Sequence, residues 1–156
     1  MSNSLSLKKS RVTTIIVCLI VISSISIGFK LSYVDFNNPE IGEDTYVYVL
    51  GAFSIINGDF SQPDRKALGW SLFISPFYLL TDSIDLLDYL NITRILSIAI
   101  STITIVPMYI LARRFFDEKY SLVASCLFAF EPHLNYNSVL GLSEPIFILG
   151  ITLASV

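Results

Sequence analysis

The chain has 156 residues and is strongly apolar: 53% of its residues are hydrophobic, 15% are charged, and its mean hydropathy is +0.67. Soluble domains have about 25% charged residues, and one of this length cannot bury so much apolar surface, so we expect lipid around much of the chain. This composition excludes a nucleic-acid binder with a basic face, and the net charge of −3 is too small to indicate a partner. Cys18 and Cys126 lie in apolar runs and do not suggest a disulfide or metal pair.

The first predicted element is a transmembrane helix over about residues 12–33. Val12 to Phe29 is a charge-free run of about 18 residues, or about 27 Å at helical rise, close to the hydrocarbon thickness of a bilayer. A signal peptide is the competing interpretation. Because the run is long for a signal core and no Ala-x-Ala-like site follows it, the pattern favours a retained anchor.

Three further apolar segments predict an all-α, polytopic membrane protein. Full spans are expected over about 91–112 and 119–137, and the second of these carries Glu131 and His133 near one end. A partial fourth span is expected over about 144–156, where about 18 Å of helix is too short to cross a bilayer. We therefore expect the sequence to be the N-terminal part of a longer protein.

Basic residues favour a plasma-membrane topology with a cytoplasmic N-terminus. In that topology the larger basic share is cytoplasmic: Lys8, Lys9, Arg11, Arg113, Arg114 and Lys119. External loop 1 then covers about 34–90 and external loop 2 about 131–144, so both acidic loops face one aqueous side. This topology requires that the segment Ala67–Leu80 does not cross the membrane. Its short length and the presence of Gly69 and Pro76 favour a re-entrant or interfacial segment.

External loop 1 is predicted to contain an amphipathic helix on the membrane surface. After Asp44, apolar residues recur at helical spacing, which predicts a helix over Thr45–Asn57, and Gly58 follows where a left-handed C-terminal glycine would lie. Asp44 has two compatible interpretations: an N-cap, or a catalytic carboxylate at the interface facing a lipid-borne substrate.

The segment EDTYVYVLGAFSIINGDFSQP resembles the first-loop signature of GT-C type membrane glycosyltransferases. It is most similar to the protein O-mannosyltransferases and aminoarabinose transferases of glycosyltransferase family 39. The matching positions are Asp44, Tyr48, Ala52, Gly58, Asp59, Phe60 and Pro63. The family often has an Asp-Glu pair, whereas Thr45 takes the second place here, so Asp44 alone inherits the catalytic role. Glu43 and Tyr48 become substrate-binding candidates.

The segment RKALGWSLFISPFYLL is similar to the family segment in which a lysine or histidine precedes Pro-Pro-Leu and aromatic residues. Lys66 fits the cationic position, although the Pro-Pro is absent here. The resemblance implies that Lys66, or Arg65, holds the phosphate of a lipid-linked sugar. A general lipid-headgroup anchor is the alternative, since an interfacial cation suits either partner.

External loop 2 contains the sequence SEP, which predicts a helix start with Ser143 as N-cap and Glu144 in the first turn. The same motif occurs in the resembled family, which implies that Glu144 meets Asp44 across the two loops as a second catalytic acid. Glu131 and His133 fit either a polar span terminus or a sugar or metal contact. Two ligands alone do not make a metal site, so a divalent metal stays open.

The resemblance implies transfer of a sugar from a polyprenyl-phosphate donor to an acceptor hydroxyl on the external face. Asp44 would be the general base, and a cation such as Lys66 would stabilise the phosphate leaving group. The expected partners are the lipid-linked donor, membrane lipid, and an acceptor protein, lipid or glycan. The alternative is a non-enzymatic membrane module, either a transporter or an assembly subunit. Transporters gather polar groups near mid-membrane, whereas the acids here gather on one external face.

Overall fold

Every element in the described part of the chain is an α-helix. The computed structural model describes residues 2–38, 42–59, 68–81, 83 and 85–156, with side chains described from residue 10 onward. Its helices are α1 (Ser2–Ser32), α2 (Glu43–Ile56), α3 (Leu68–Tyr78), α4 (Leu86–Ile103), α5 (Ile105–Ala112), α6 (Glu118–Ala129), α7 (Pro132–Leu140) and α8 (Glu144–Ser155). The predicted all-α class is therefore confirmed for these residues.

Two helical segments among the described residues are long and apolar enough to cross a membrane. They are Ser10–Ser32 within α1 and Leu86–Ala112, which joins α4 and α5. Pro107 explains the interruption between α4 and α5, because it has no N–H to donate to the carbonyl of Ile103. The predicted first and second spans coincide with these two segments.

The predicted third span, 119–137, is not one continuous helix. It is divided into α6 and α7, and α6 by itself reaches about 18 Å. The division occurs at Glu131, whose carboxylate caps α7 by accepting a hydrogen bond from Leu134 N (2.6 Å), with Pro132 in the first turn. Glu131 thus lies at a polar helix end, the first of the two interpretations given above. Three full membrane spans are not confirmed and stay a prediction.

The helices of external loop 1 lie close to their predicted positions. α2 begins two residues earlier than expected, and Gly58 follows it with a φ of +73°, as predicted. α3 tolerates Pro76 because the carbonyl of Leu72, which loses its usual donor, accepts a hydrogen bond from Ser75 Oγ (3.0 Å). Leu72 itself and several other apolar side chains of α3 are exposed, as expected for an interfacial helix.

The apolar core is divided into two clusters along the α4–α5 segment. The first joins α2, α3 and α4 through Val49, Ala52, Trp70, Ile74, Tyr78, Tyr89, Leu90 and Ile100. The second joins α1, α5 and α6 through Leu19, Ile105, Tyr109 and Ala129. Both helices of external loop 1 therefore pack against α4, which also contacts α7 and α8 of the second half.

Candidate functional site

The turn between α7 and α8 is the point at which the two external loops meet. Gly141 ends α7 in the left-handed region, with a φ of +80°. Leu142 N donates to Asn137 O (3.1 Å) and Gly141 N donates to Ser138 O (3.2 Å), the paired hydrogen bonds of a Schellman motif. This geometry turns the chain sharply and directs the carbonyls of residues 140–142 outward from α7.

Three consecutive carbonyls of this turn each accept a hydrogen bond from a different helix. Leu140 O accepts from Thr45 Oγ1 of α2 (2.8 Å), Gly141 O from Trp70 Nε1 of α3 (3.1 Å), and Leu142 O from Ser97 Oγ of α4 (3.0 Å). We refer to residues 140–142 as the clasped turn. Because buried hydrogen bonds require close geometry, the clasped turn positions the start of α8 relative to α2.

Tyr48 extends this connection to the residue before Glu144. Its hydroxyl lies 3.1 Å from Ser143 Oγ, and its backbone carbonyl accepts a hydrogen bond from Ser71 Oγ (2.9 Å). Ser143 occupies the predicted N-cap position of α8, but its side chain makes no capping hydrogen bond. The predicted N-cap position of Ser143 is therefore confirmed, while its hydroxyl contacts Tyr48 and not a backbone N–H of α8.

Asp44 is exposed in the first turn of α2, one residue before Thr45, which donates a hydrogen bond to the clasped turn. The N-cap of α2 is Gly42, without a side-chain capping hydrogen bond, so the interpretation of Asp44 as an N-cap is wrong. Asp44 and Tyr48 are four residues apart and so project from the same face of α2. Asp44 therefore shares a helix face with Tyr48, whose hydroxyl contacts Ser143 just before α8.

Glu144 lies half-buried in the first turn of α8. Its Oε2 is buried, and within the described residues it has no hydrogen-bond partner. A helix N-terminus stabilises a carboxylate, but a buried oxygen without a donor is energetically costly. Glu144 therefore carries an unsatisfied buried acceptor at the start of α8.

The other predicted site residues do not join this arrangement through any recorded contact. Glu43 is exposed beside Asp44, and His133 is exposed on α7, with its Nε2 3.4 Å from Asn137 Nδ2 of the same helix. Arg65 and Lys66 lie outside the described residues. Within the part of the chain that the structure describes, no group of three or more His, Cys, Asp or Glu side chains could hold a metal ion.

A cavity of about 720 Å³ lies beside the N-terminus of α2, between the end of α1, α4 and α7. Gly42, two residues before Asp44, and Leu140 of the clasped turn both line it. Its charged lining residues are Lys30, Asp35 and Arg94. The cavity thus adjoins the meeting point of the two loops and combines cationic groups with apolar walls.

Arg94 and Lys30 are buried cations that were not among the predicted site residues. The guanidinium of Arg94 donates to Asp35 O and Asn38 O (3.1 Å each) and to Asn91 Oδ1 (3.1 Å), which ties the start of external loop 1 to α4. Lys30 Nζ donates to Ser101 Oγ (2.9 Å) and to Thr102 Oγ1 (3.4 Å) of α4. No local sequence motif marks the long-range hydrogen bonds of Arg94 and Lys30, so they could not be predicted from the sequence.

No family model, curated protein or solved structure matches this chain.

Proposed function

We propose that this chain forms the external active site of a membrane glycosyltransferase that uses a polyprenyl-phosphate-linked sugar. One observation supports this above the others: α2, which carries Asp44, is hydrogen-bonded to the segment that leads into Glu144. Thr45 to Leu140 (2.8 Å) and Tyr48 to Ser143 (3.1 Å) are the two contacts. These contacts join the helix that carries Asp44 to the turn that precedes Glu144, and the cavity lined by Gly42 and Leu140 adjoins both segments.

In the proposed reaction, Asp44 removes the proton from an acceptor hydroxyl as that oxygen attacks the anomeric carbon. The bond between this carbon and the phosphate oxygen breaks, and the polyprenyl phosphate leaves with the electron pair. Direct displacement inverts the anomeric centre. Exposure of Asp44 gives the acceptor access to the base, and general-base assistance contributes about 10²–10⁴ in rate.

Glu144 and Tyr48 are proposed to orient the sugar or the acceptor. Glu144 is proposed to act as the second acid through its carboxylate, and its buried Oε2 has to become accessible before a substrate hydroxyl can reach it. The Tyr48 hydroxyl lies 3.1 Å from the side chain of Ser143, the residue before Glu144. Arg65 or Lys66 is proposed to contact the phosphate of the donor. Glu43 and His133 are proposed to contact the sugar or the acceptor.

The proposed topology has the N-terminus in the cytoplasm, three full spans, and both external loops outside the plasma membrane. The two candidate spans and the exposed apolar side chains of α1, such as Ile16, Ile20 and Ile25, support membrane insertion. The joining of α2 to the clasped turn supports a common side for the two loops.

The test is Asp44→Asn in membranes that contain the whole protein, assayed with radiolabelled polyprenyl-phosphate hexoses and pentoses. We expect sugar transfer to fall by about 10²-fold or more, with unchanged protein level, because the amide cannot take the proton. Asp117→Asn is the matched control: Asp117 is also exposed at a helix start and makes no capping hydrogen bond, but lies before α6. It should leave transfer unchanged.

Two results would contradict the proposal. Wild-type transfer by Asp44→Asn would remove Asp44 from the mechanism. Absence of transfer with every donor in membranes containing the wild-type protein would favour the non-enzymatic membrane module instead.

A further inference from the structure

The loop between α5 and α6, residues 113–117, presents basic and aromatic side chains to the outside of the helix bundle. Its exposed members, together with one residue in the first turn of α6, include Arg113, Arg114, Phe115, Phe116 and Tyr120. Phe115 exposes 74% of its surface. Neighbouring large aromatic side chains that are this exposed mark an interaction surface, and the proposed sugar transfer does not use this one.

Backbone hydrogen bonds hold the loop in a defined conformation. Ala112 O, at the end of α5, accepts from Phe115 N (3.0 Å) and from Phe116 N (2.9 Å). Phe116 O in turn accepts from Arg113 Nη1 (2.8 Å), which uses one of the five donors of that guanidinium. In the described part of the chain no partner is recorded for its other donors or for the Arg114 side chain. The loop therefore holds two guanidinium groups with donors to spare.

The position of the loop along the bundle corresponds to the level of lipid headgroups. The second candidate span ends at Ala112, directly before the loop. Apolar side chains are exposed on both helices that the loop joins, Val106 and Ile110 on α5 and Val123 and Leu127 on α6. In a bilayer, hydrocarbon covers such a surface, so the cations and aromatic rings just beyond it lie where lipid phosphates are found.

A cleft of about 450 Å³ opens beside this loop. Its lining consists of Arg113, Arg114, Phe115, Phe116, Asp117 and Tyr120. The two guanidinium groups and one carboxylate give the cleft a net charge of +1, and none of the three forms a recorded ion pair within the described ranges. The cleft is therefore complementary to a single negative charge that is accompanied by apolar groups.

We propose that this cleft binds the phosphate of a singly anionic phospholipid such as phosphatidylglycerol, with Arg113 and Arg114 as its counter-charges. A guanidinium can bind a phosphate through two parallel hydrogen bonds, and the aromatic rings of the cleft contact the glycerol backbone and acyl chains. Free phosphate lacks these apolar contacts, and a zwitterionic phospholipid leaves the net charge of the cleft uncompensated. The proposal rests on insertion of the candidate spans and requires no sugar transfer.

The experiment uses the whole protein with Phe115→Trp, reconstituted into phosphatidylcholine vesicles that contain increasing fractions of a brominated lipid. Bromine quenches tryptophan fluorescence only near contact, and the protein without this substitution gives the background from Trp70. We expect brominated phosphatidylglycerol to be preferred over brominated phosphatidylcholine at this position by about fivefold or more. Tyr120→Trp is a second reporter in the same cleft and should give the same preference. Both leaflets have one composition, so the orientation of the protein does not affect the result.

The variant Arg113→Gln/Arg114→Gln should reduce this preference to about one, since both proposed counter-charges are removed. Arg113→Lys/Arg114→Lys should retain part of it, because lysine keeps the charge but lacks the planar fork of donors. These arginines are exposed, so the substitutions bury no new group.

Arg11→Gln is the matched control, because Arg11 is an exposed cation at the same end of the bundle. α1 and the α4–α5 segment run in opposite directions: Lys30 bonds to Ser101, and Leu19 packs with Tyr109. The control should keep the preference within about twofold of the protein that carries only the reporter. An equal loss in the control and in the double glutamine variant would overturn the proposal, since it would indicate a general surface potential.

Three further results would overturn the proposal. Equal quenching by brominated phosphatidylglycerol and phosphatidylcholine would show no anionic preference. An equally strong preference for brominated phosphatidylethanolamine would show that net charge is not recognised. Displacement of the lipid by millimolar inorganic phosphate, but not by chloride at equal ionic strength, would show a site for free phosphate.

This proposal and the enzymatic one fail separately. Asp44→Asn should leave the lipid preference unchanged, because Asp44 lies on α2, outside the cleft. If the preference is present but no donor supports transfer, only the enzymatic proposal fails. If transfer occurs without any lipid preference at the loop, only the lipid site is wrong.

Discussion

Gly141 meets two separate structural requirements at a single residue. Its φ of +80° lies in the left-handed region, which costs an L-residue with a side chain about 1–2 kcal/mol. In addition, a Cβ at this position would lie 3.2 Å from Thr93 Cγ2, 3.3 Å from Arg94 N and 3.4 Å from Thr45 Cγ2. The clasped turn can approach α2 and α4 only because this residue has no side chain.

We therefore expect Gly141→Ala to lower the free energy of unfolding by about 1–3 kcal/mol. Gly150→Ala is the control, since Gly150 lies within α8 and a Cβ there would meet nothing within 4 Å. Alanine is the better helix former, so the control should be neutral or stabilising by up to about 1 kcal/mol. Unfolding in mixed micelles, followed by circular dichroism, measures both. Equal stability of the two variants would contradict the close packing of the clasped turn.

At the level of elements, α2 and α3 form a tightly packed pair because a glycine faces a serine between them. A Cβ on Gly51 would lie 2.7 Å from Ser71 Oγ and 3.2 Å from Ser71 Cβ. The Ser71 hydroxyl in turn donates to Tyr48 O (2.9 Å), so it cannot rotate away without losing that hydrogen bond. Close approach of these helices places Trp70 within reach of the clasped turn.

This packing predicts non-additive effects for Gly51→Ala and Ser71→Ala. Gly51→Ala alone should lower stability by about 1–3 kcal/mol through overpacking, despite the better helix propensity of alanine. In Gly51→Ala/Ser71→Ala the nearest clashing atom is absent, so the double variant should be more stable than the sum of the single effects by about 0.5 kcal/mol or more. The same micelle unfolding assay gives the three values. Additive effects would indicate that the two helices are not in contact at this point.

At the level of the whole molecule, external loop 1 and external loop 2 are joined on one side of α4. α2 and α3 pack against α4, and the clasped turn bonds to all three helices. Because segments that share hydrogen bonds at one turn lie on one side of a bilayer, we expect Asn57, after α2, and Tyr136, on α7, to face the same aqueous compartment. Arg114, beyond the end of α5, should face the opposite one.

Labelling of single cysteines in intact cells tests this arrangement. In a background with Cys18→Ala and Cys126→Ala, Asn57→Cys and Tyr136→Cys should react with a membrane-impermeant maleimide. Arg114→Cys should react only after permeabilisation. All three side chains replaced are exposed in the structure, so burial does not confound the result. Labelling of residues 57 and 136 from opposite sides would contradict the fold.

Local patterns predicted much of the secondary structure. The helical spacing after Asp44 predicted α2 to within two residues, Gly58 has the expected positive φ, and the SEP motif marks the start of α8. The division of the third span was missed, because the apolar composition of 119–137 outweighed the capping signal of Glu131 and Pro132, which is visible in the sequence.

The sequence alone predicted a membrane protein, determined the helical class and indicated where the acids lie between the apolar segments, because hydropathy and helix caps are properties of neighbouring residues. Tertiary structure alone decided that Thr45, Trp70 and Ser97 bond to one turn, and that Lys30 lines a cavity. Each of these three hydrogen bonds joins two residues that are between 45 and 95 positions apart in the chain. No local pattern specifies such pairs, since they form only when helix packing brings distant backbone carbonyls within reach of particular side chains.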